Sequence, residues 1–242
     1  MKNNLNWALT GICIIITAAI LGSAYKYKYH AQDTIVVTGL GEKEFTSDLI
    51  VWRDWIVQQS PSAEAGYAQL ESAKRKVQEF IRSKGIADSS VVFQFVNVNR
   101  TTEPIYANGQ YIGQRNTGYE LRQEFTVESK DIARVETVSR EISSLIAQGV
   151  QIESWQPEYY YTKLADVKMD LIAKATEDAN LRARTIAKKA GSRLKKLRTA
   201  RMGVFQITSP NSNEAFTAGG TFNTSSKNKI ARITMRLEYH IK

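Results

Sequence analysis

From Lys229 to Ile241 apolar and polar positions alternate almost without interruption. Ala231, Ile233, Met235, Leu237, Tyr239 and Ile241 share one face, and Arg232, Arg236, Glu238 and His240 share the other. A period of two sends successive side chains to opposite faces of a strand, so this segment predicts a strand half-buried on a core. Residues 119–128 repeat the pattern: Tyr119, Leu121, Phe125 and Val127 alternate with Glu120, Arg122, Glu124 and Glu128. Its predicted partner is 90–100, with Val91, Phe93 and Phe95 on one face. Residues 34–38 and 46–58 are two further β-rich runs. Trp52 and Trp55 fall on opposite faces of the second, which predicts cover on both sides. Residues 150–161 and 194–208 complete the predicted strands.

The period changes to 3.6 in three places. Leu70, Ala73, Val77, Phe80 and Ile81 recur at helical spacing after Ser60-Pro61, which predicts a serine N-cap with proline in the first turn, and Gly85 ends the run. Residues 131–148 place Ile132, Val135, Ile142 and Leu145 on one side and stop at Gly149. Residues 163–190 form the longest predicted helix, stopped by Gly191. It carries a stripe of small residues (Ala175, Ala179, Ala183, Ala187, Ala190) that lets a helix lie close to its neighbour. Asn108-Gly109, flanked by Tyr106 and Tyr111, is a two-residue hairpin signal, and 101–118 reads as an arm extending beyond the sheet. Residues 209–228, rich in Ser, Asn, Gly and Thr, read as a flexible loop. Strands outnumber helices and several are joined as hairpins. The expected fold class is therefore α+β, with largely antiparallel sheet or sheets carrying helices on one face.

The beginning of the chain has a different pattern. No charged residue occurs from Asn3 to Tyr25, between Lys2 and the pair Lys26 and Lys28. About twenty such residues at 1.5 Å each match a hydrocarbon core of roughly 30 Å, so one N-terminal transmembrane helix is expected, with Trp7 and Tyr25 near its ends. A secretory signal peptide fits as well, because Gly22-Ser23-Ala24 ends in a small-x-small pattern. The length favours the retained anchor. The expected organisation is a cytoplasmic tip and anchor over 1–30, followed by a folded domain over 31–242.

Composition narrows the chemistry. Cys13 is the only cysteine, which excludes a disulfide framework and a thiolate metal site. His30 and His240 have no Cys, His or paired carboxylate at ligand spacing, so no metal site is expected. No nucleophile elbow, phosphate loop or metalloprotease motif is present, and Gly39-Leu40-Gly41 lacks the third glycine of a dinucleotide fingerprint. No catalytic residue, cofactor or enzyme activity is expected. The net charge of +9 is concentrated in a run containing Arg182, Lys188, Lys189, Arg193, Lys195 and Lys196. That run is either a solvated helix end or a contact for an anionic surface. It has no interleaved aromatics, which makes single-stranded nucleic acid an unlikely partner. Tyr106, Tyr111 and the triplet Tyr159, Tyr160 and Tyr161 are candidate interface aromatics, with ordinary packing as the alternative.

Three stretches taken together resemble a known family. TIVVTGLGEKEFTSD, YELRQEFTVESKDIARVETVSREI followed by GVQIESW, and DLIAKATEDANLRARTIAKKAGSRLKKL are similar, in order and spacing, to the SIMPL-domain family of bacterial envelope proteins. The resemblance covers residues 33–242. It implies export to the periplasm, assembly into homo-oligomers or binding of envelope partners, and a link to oxidative-stress tolerance, with no catalytic residues to carry over. It also orients the N-terminal segment. The chain would be a single-pass inner-membrane protein with its C-terminal domain in the periplasm, or a soluble periplasmic protein if the segment is cleaved. The alternative function is an anionic-lipid or nucleic-acid binding module using the basic segment 182–201.

Overall fold

The computed structural model describes residues 2–30, 33–215 and 217–242; in the first helix, side chains are described for residues 11–26. Trp7 and His30, singled out above, lie outside the described side chains. The first helix, α1, runs over Lys2–His30. Among the described residues no helix is long and apolar enough to cross a membrane.

The remaining strands form two antiparallel sheets. In the first, β1 (Thr34–Thr46) pairs along its whole length with β9 (Asn228–Ile241). The other edge of β9 carries β7 (Leu194–Met202) and β8 (Gln206–Thr208). The final alternation appears as expected: Ala231, Ile233, Met235, Leu237 and Tyr239 are buried against α4 (Leu164–Lys189). The predicted strand 194–208 is interrupted, because residues 203–205 leave the ladder between β7 and β8.

The alanine stripe and the glycine pair belong to one contact. Ala175, Ala179, Ala183 and Ala187 are buried on α4. A Cβ built on Gly39 would stand 2.2 Å from the carbonyl oxygen of Ala175, and one on Gly41 2.3 Å from that of Leu171. Helix backbone and strand backbone therefore touch, which only glycine on the strand permits. Asp178 of α4 reaches the free edge of β1 and accepts a hydrogen bond from the Leu40 amide at 2.9 Å.

The second sheet has the order β3 (Val91–Ala107), β4 (Gln110–Ser129), β2 (Leu49–Ser60), β5 (Gln151–Glu153), with β6 (Glu158–Tyr160) on β2 as well. Helices α2 (Ala63–Ser83) and α3 (Ile132–Glu141), the latter continued by a 3-10 helix over Ile142–Gln148, bury Leu70, Val77, Ile81, Val135 and Val138 against Trp52, Ile56, Leu121 and Phe125. Asn108 and Gly109 adopt φ of 50° and 78°, which makes the turn of a single long β3–β4 hairpin.

Four expectations change here. The cap of α2 is Ser62, whose hydroxyl accepts from the Ala65 amide, while Ser60 belongs to β2. The helix predicted over 131–148 is α-helical only to Glu141 and then tightens to 3-10. Helices cover β2 on one face only; on the other, Trp55 is half-buried beneath the Arg122 guanidinium, 5.4 Å from its ring. Phe95 does not share a face with Val91 and Phe93. A bulge between Phe93 and Val96 shifts the phase by one, so Val96 packs against the core and Phe95 is 75% exposed.

Candidate functional site

The first region is the β3–β4 arm. Tyr106 and Tyr111 pair across the hairpin at 6.1 Å between ring centroids, exposed by 63% and 57%. Val92, Phe95, Ile105 and Ile112 are also exposed along the same hairpin. β3 is the edge strand of its sheet, so a row of backbone groups is left open beside these apolar side chains.

The tyrosine triplet is elsewhere. Tyr159 donates from its hydroxyl to Glu136 at 3.0 Å, and burial, helped by that carboxylate, pushes its phenol up to about 12. Tyr160 donates to Glu158 at 2.9 Å and stacks near Phe222, and Tyr161 packs on Phe45 at 4.8 Å. All three are half-buried where the two sheets meet. There the Tyr159 amide donates to the Thr224 carbonyl, and Thr162 donates twice to the Asp48 carboxylate. The five tyrosines therefore do not form one surface: two sit at the arm tip, and three join the halves of the domain.

The second region is basic. Arg182 is held by Asp178 at 3.0 Å along α4. Lys188 and Lys189 occupy the last turn of α4, Gly191 turns the chain with φ 72°, and Arg193, Lys195 and Lys196 lead into β7, all exposed. The Arg193 amide donates to the Lys242 carbonyl at 2.7 Å and the Lys242 amide returns a bond at 3.0 Å, which adds the terminal lysine to the group. Lys242 was missed in the sequence because only the pairing of β7 with β9 brings it there.

Two buried charges resemble chemistry and serve structure. Asp54 is fully buried. It accepts from Trp52 Nε1 at 3.0 Å, Ser154 Oγ at 2.8 Å and the Trp155 amide at 2.7 Å. Burial pushes its carboxyl up to about 6, and the three donors partly counter this. Asp54 accounts for the break in the strand predicted over 150–161. β5 pairs with residues 55–57 of β2 and β6 with 49–51, and between them the carboxylate replaces the missing ladder by binding the loop itself.

Lys229 is also buried, and its ammonium donates to the carbonyls of Asn223 and Ser226. Burial pushes it down to about 8 against the pull of Glu214, which also accepts from the Ser209 amide and the Asn223 amide group. The described residues of 209–228 are thus held at one end by Glu214 and at the other by a buried cation, which corrects the expectation of a flexible loop. Lys229→Met would leave both carbonyls without their donor. It is expected to cost about 1–3 kcal/mol and to open this loop to limited proteolysis; cleavage at the wild-type rate would contradict the role.

His240 is half-buried opposite Thr34, and no group of His, Cys, Asp and Glu able to hold a metal occurs among the described residues. A family model, SIMPL, described as a protein of unknown function (DUF541), matches residues 35–236. No curated protein matches the chain.

Proposed function

The chain belongs to the SIMPL family, and on that footing we propose that it is a non-enzymatic, membrane-anchored envelope protein that works by assembling with copies of itself. The observation that carries this reading is the open outer edge of β3 (Val91–Ala107), which pairs only with β4 among the described residues and exposes Phe95 and Tyr106. An open edge with apolar side chains is a template for pairing with another chain, and a second copy offers the same template by symmetry. The buried Asp54 and Lys229 are each engaged by hydrogen bonds within the fold, which favours a structural domain over an enzyme. The uncharged run from Asn3 to Tyr25 supports the anchor, with the folded domain on the periplasmic side. A contribution to envelope or oxidative-stress tolerance is the physiological setting that goes with this reading.

Light scattering on the detergent-solubilised full chain tests assembly. The expected mass is a multiple of 27.3 kDa. Phe95→Glu combined with Tyr106→Glu is expected to give the monomer with an unchanged melting curve, because both side chains are exposed. A strict monomer for the parent chain at micromolar concentration would overturn the proposal.

A further inference from the structure

The basic run read in the sequence as a helix end has a definite place in the fold. Three segments meet at one end of the first sheet: the start of β1, the end of β9 and the turn from α4 into β7. The Ile241 amide donates to the Asp33 carbonyl at 3.0 Å, and Lys242 and Arg193 exchange their two backbone bonds beside it. Lys188, Lys189, Arg193, Lys195, Lys196 and Lys242 surround this junction, all exposed. None of them forms an ion pair among the described residues, whereas the nearby Glu238 is neutralised by Arg198 at 2.8 Å.

The opposite end is mixed in charge. α4 runs antiparallel to β1, so Asp166, Lys168 and Asp170 of its first turns lie beyond Gly41, where Asp170 meets Lys43 at 2.8 Å and Lys174 at 3.4 Å. The negative end of the α4 dipole lies under the lysines, which favours cations there and offsets part of their positive charge.

The basic end is also where the chain leaves α1. Helix α1 ends at His30 and the first strand-end bond is at Asp33. Three residues span at most about 11 Å, so Asp33, at the junction that the cations surround, is held within that reach of the end of α1.

We propose that this collar docks the folded domain onto anionic phospholipid headgroups of the membrane that holds α1. The inference rests on the anchor reading given above. Six cations without an ion pair among the described residues, gathered where the chain leaves α1, match a negatively charged surface in sign and position. Docking would fix the domain upright on the bilayer, with the charge-paired start of α4 turned away from it. This leaves the β3–β4 arm free to meet copies anchored in the same plane.

The test uses the full chain in vesicles of phosphatidylcholine alone, or with about a third phosphatidylglycerol. Acylation rates of individual lysines are read by mass spectrometry. Lys188, Lys189, Lys195, Lys196 and Lys242 are expected to react roughly fivefold more slowly in the anionic vesicles. Lys74 and Lys76 on α2 are expected to keep their rates. The protection is expected to vanish in about 1 M salt, where the screening length is ~3 Å. Equal rates in the two vesicles would overturn the proposal. So would protection produced by duplex DNA but not by the anionic vesicles. Retention on pure phosphatidylcholine vesicles in high salt reports the anchor separately. A chain retained there with no lysine protection keeps the anchor and loses the collar. A chain released there, yet protected by anionic vesicles at low salt, keeps the collar and loses the anchor.

Discussion

Gly39→Ala is expected to destabilise the domain by about 3 kcal/mol or more, lowering Tm by roughly 10 °C. The added carbon would lie 2.2 Å from the Ala175 carbonyl oxygen, 2.4 Å from the Ala179 nitrogen and 2.7 Å from the Ala179 Cβ. Two of these three atoms are helix backbone and have no rotamer through which to yield. The helix must lift from the sheet, which separates the buried alanine stripe from Val37, Ile233 and Leu237. Ala179→Gly in the same chain removes only the third contact and is expected to rescue little. Thermal unfolding followed by circular dichroism checks both. A change below about 0.5 kcal/mol for Gly39→Ala would show that the helix moves freely and that the close approach is not required. Gly41→Ala is expected to behave in the same way, because its clash is with the Leu171 carbonyl.

The second large effect belongs to Asp54. Asp54→Ala removes the acceptor of three donors at once, the Trp52 indole, the Ser154 hydroxyl and the Trp155 amide, at a buried position. A loss of about 3 kcal/mol is expected. The pH dependence follows from the folded carboxyl being raised from 3.8 to about 6. The folded state binds this proton more tightly than the unfolded chain does. The group's contribution to stability is therefore fully present below about pH 3.8 and is lost as the pH rises through 6. The whole change is at most about 3 kcal/mol. Asp54→Asn separates charge from shape. Its oxygen still accepts from both N–H groups, and its amide donates to Ser154 once that hydroxyl rotates. This variant is expected to lie well above the alanine variant at neutral pH and to lack the decline between pH 4 and 6. Denaturant titrations across that range decide the matter. An Asn variant with the parent's pH slope would assign that slope to another group.

Part of this architecture was legible as pattern. The alternation in 229–241 and 119–128, the Asn-Gly turn and the long alanine-striped helix all reappear within a residue or two, because each is a local rule acting on neighbouring residues. Misreadings occurred where a distant group overrode the local rule. The run 150–161 has strand composition throughout, yet Asp54, about a hundred residues earlier, binds its middle and divides it. The run 209–228 has loop composition, yet Lys229 and Glu214 hold it in place. Phe95 follows the alternation of its strand until one bulge reverses its direction.

The candidate sites divided along the same line. Lys188, Lys189, Arg193, Lys195 and Lys196 were visible as a charge run, but not the addition of Lys242 or the position beside the end of α1. Five tyrosines were visible as candidates, but not their separation into an exposed pair and a half-buried joint.

By itself the sequence determined the α+β class, the buried face of most regular elements and the uncharged N-terminal run, because periodicity and composition are properties of contiguous residues; the family showed in the resemblance of three stretches taken together. Only the tertiary structure decided that there are two sheets, that Gly39 and Gly41 exist for Ala175 and Ala179, and that the basic residues form one end of the domain. Those facts depend on strand register and on backbone-to-backbone distance, which join residues far apart in the chain and leave no periodic trace along it.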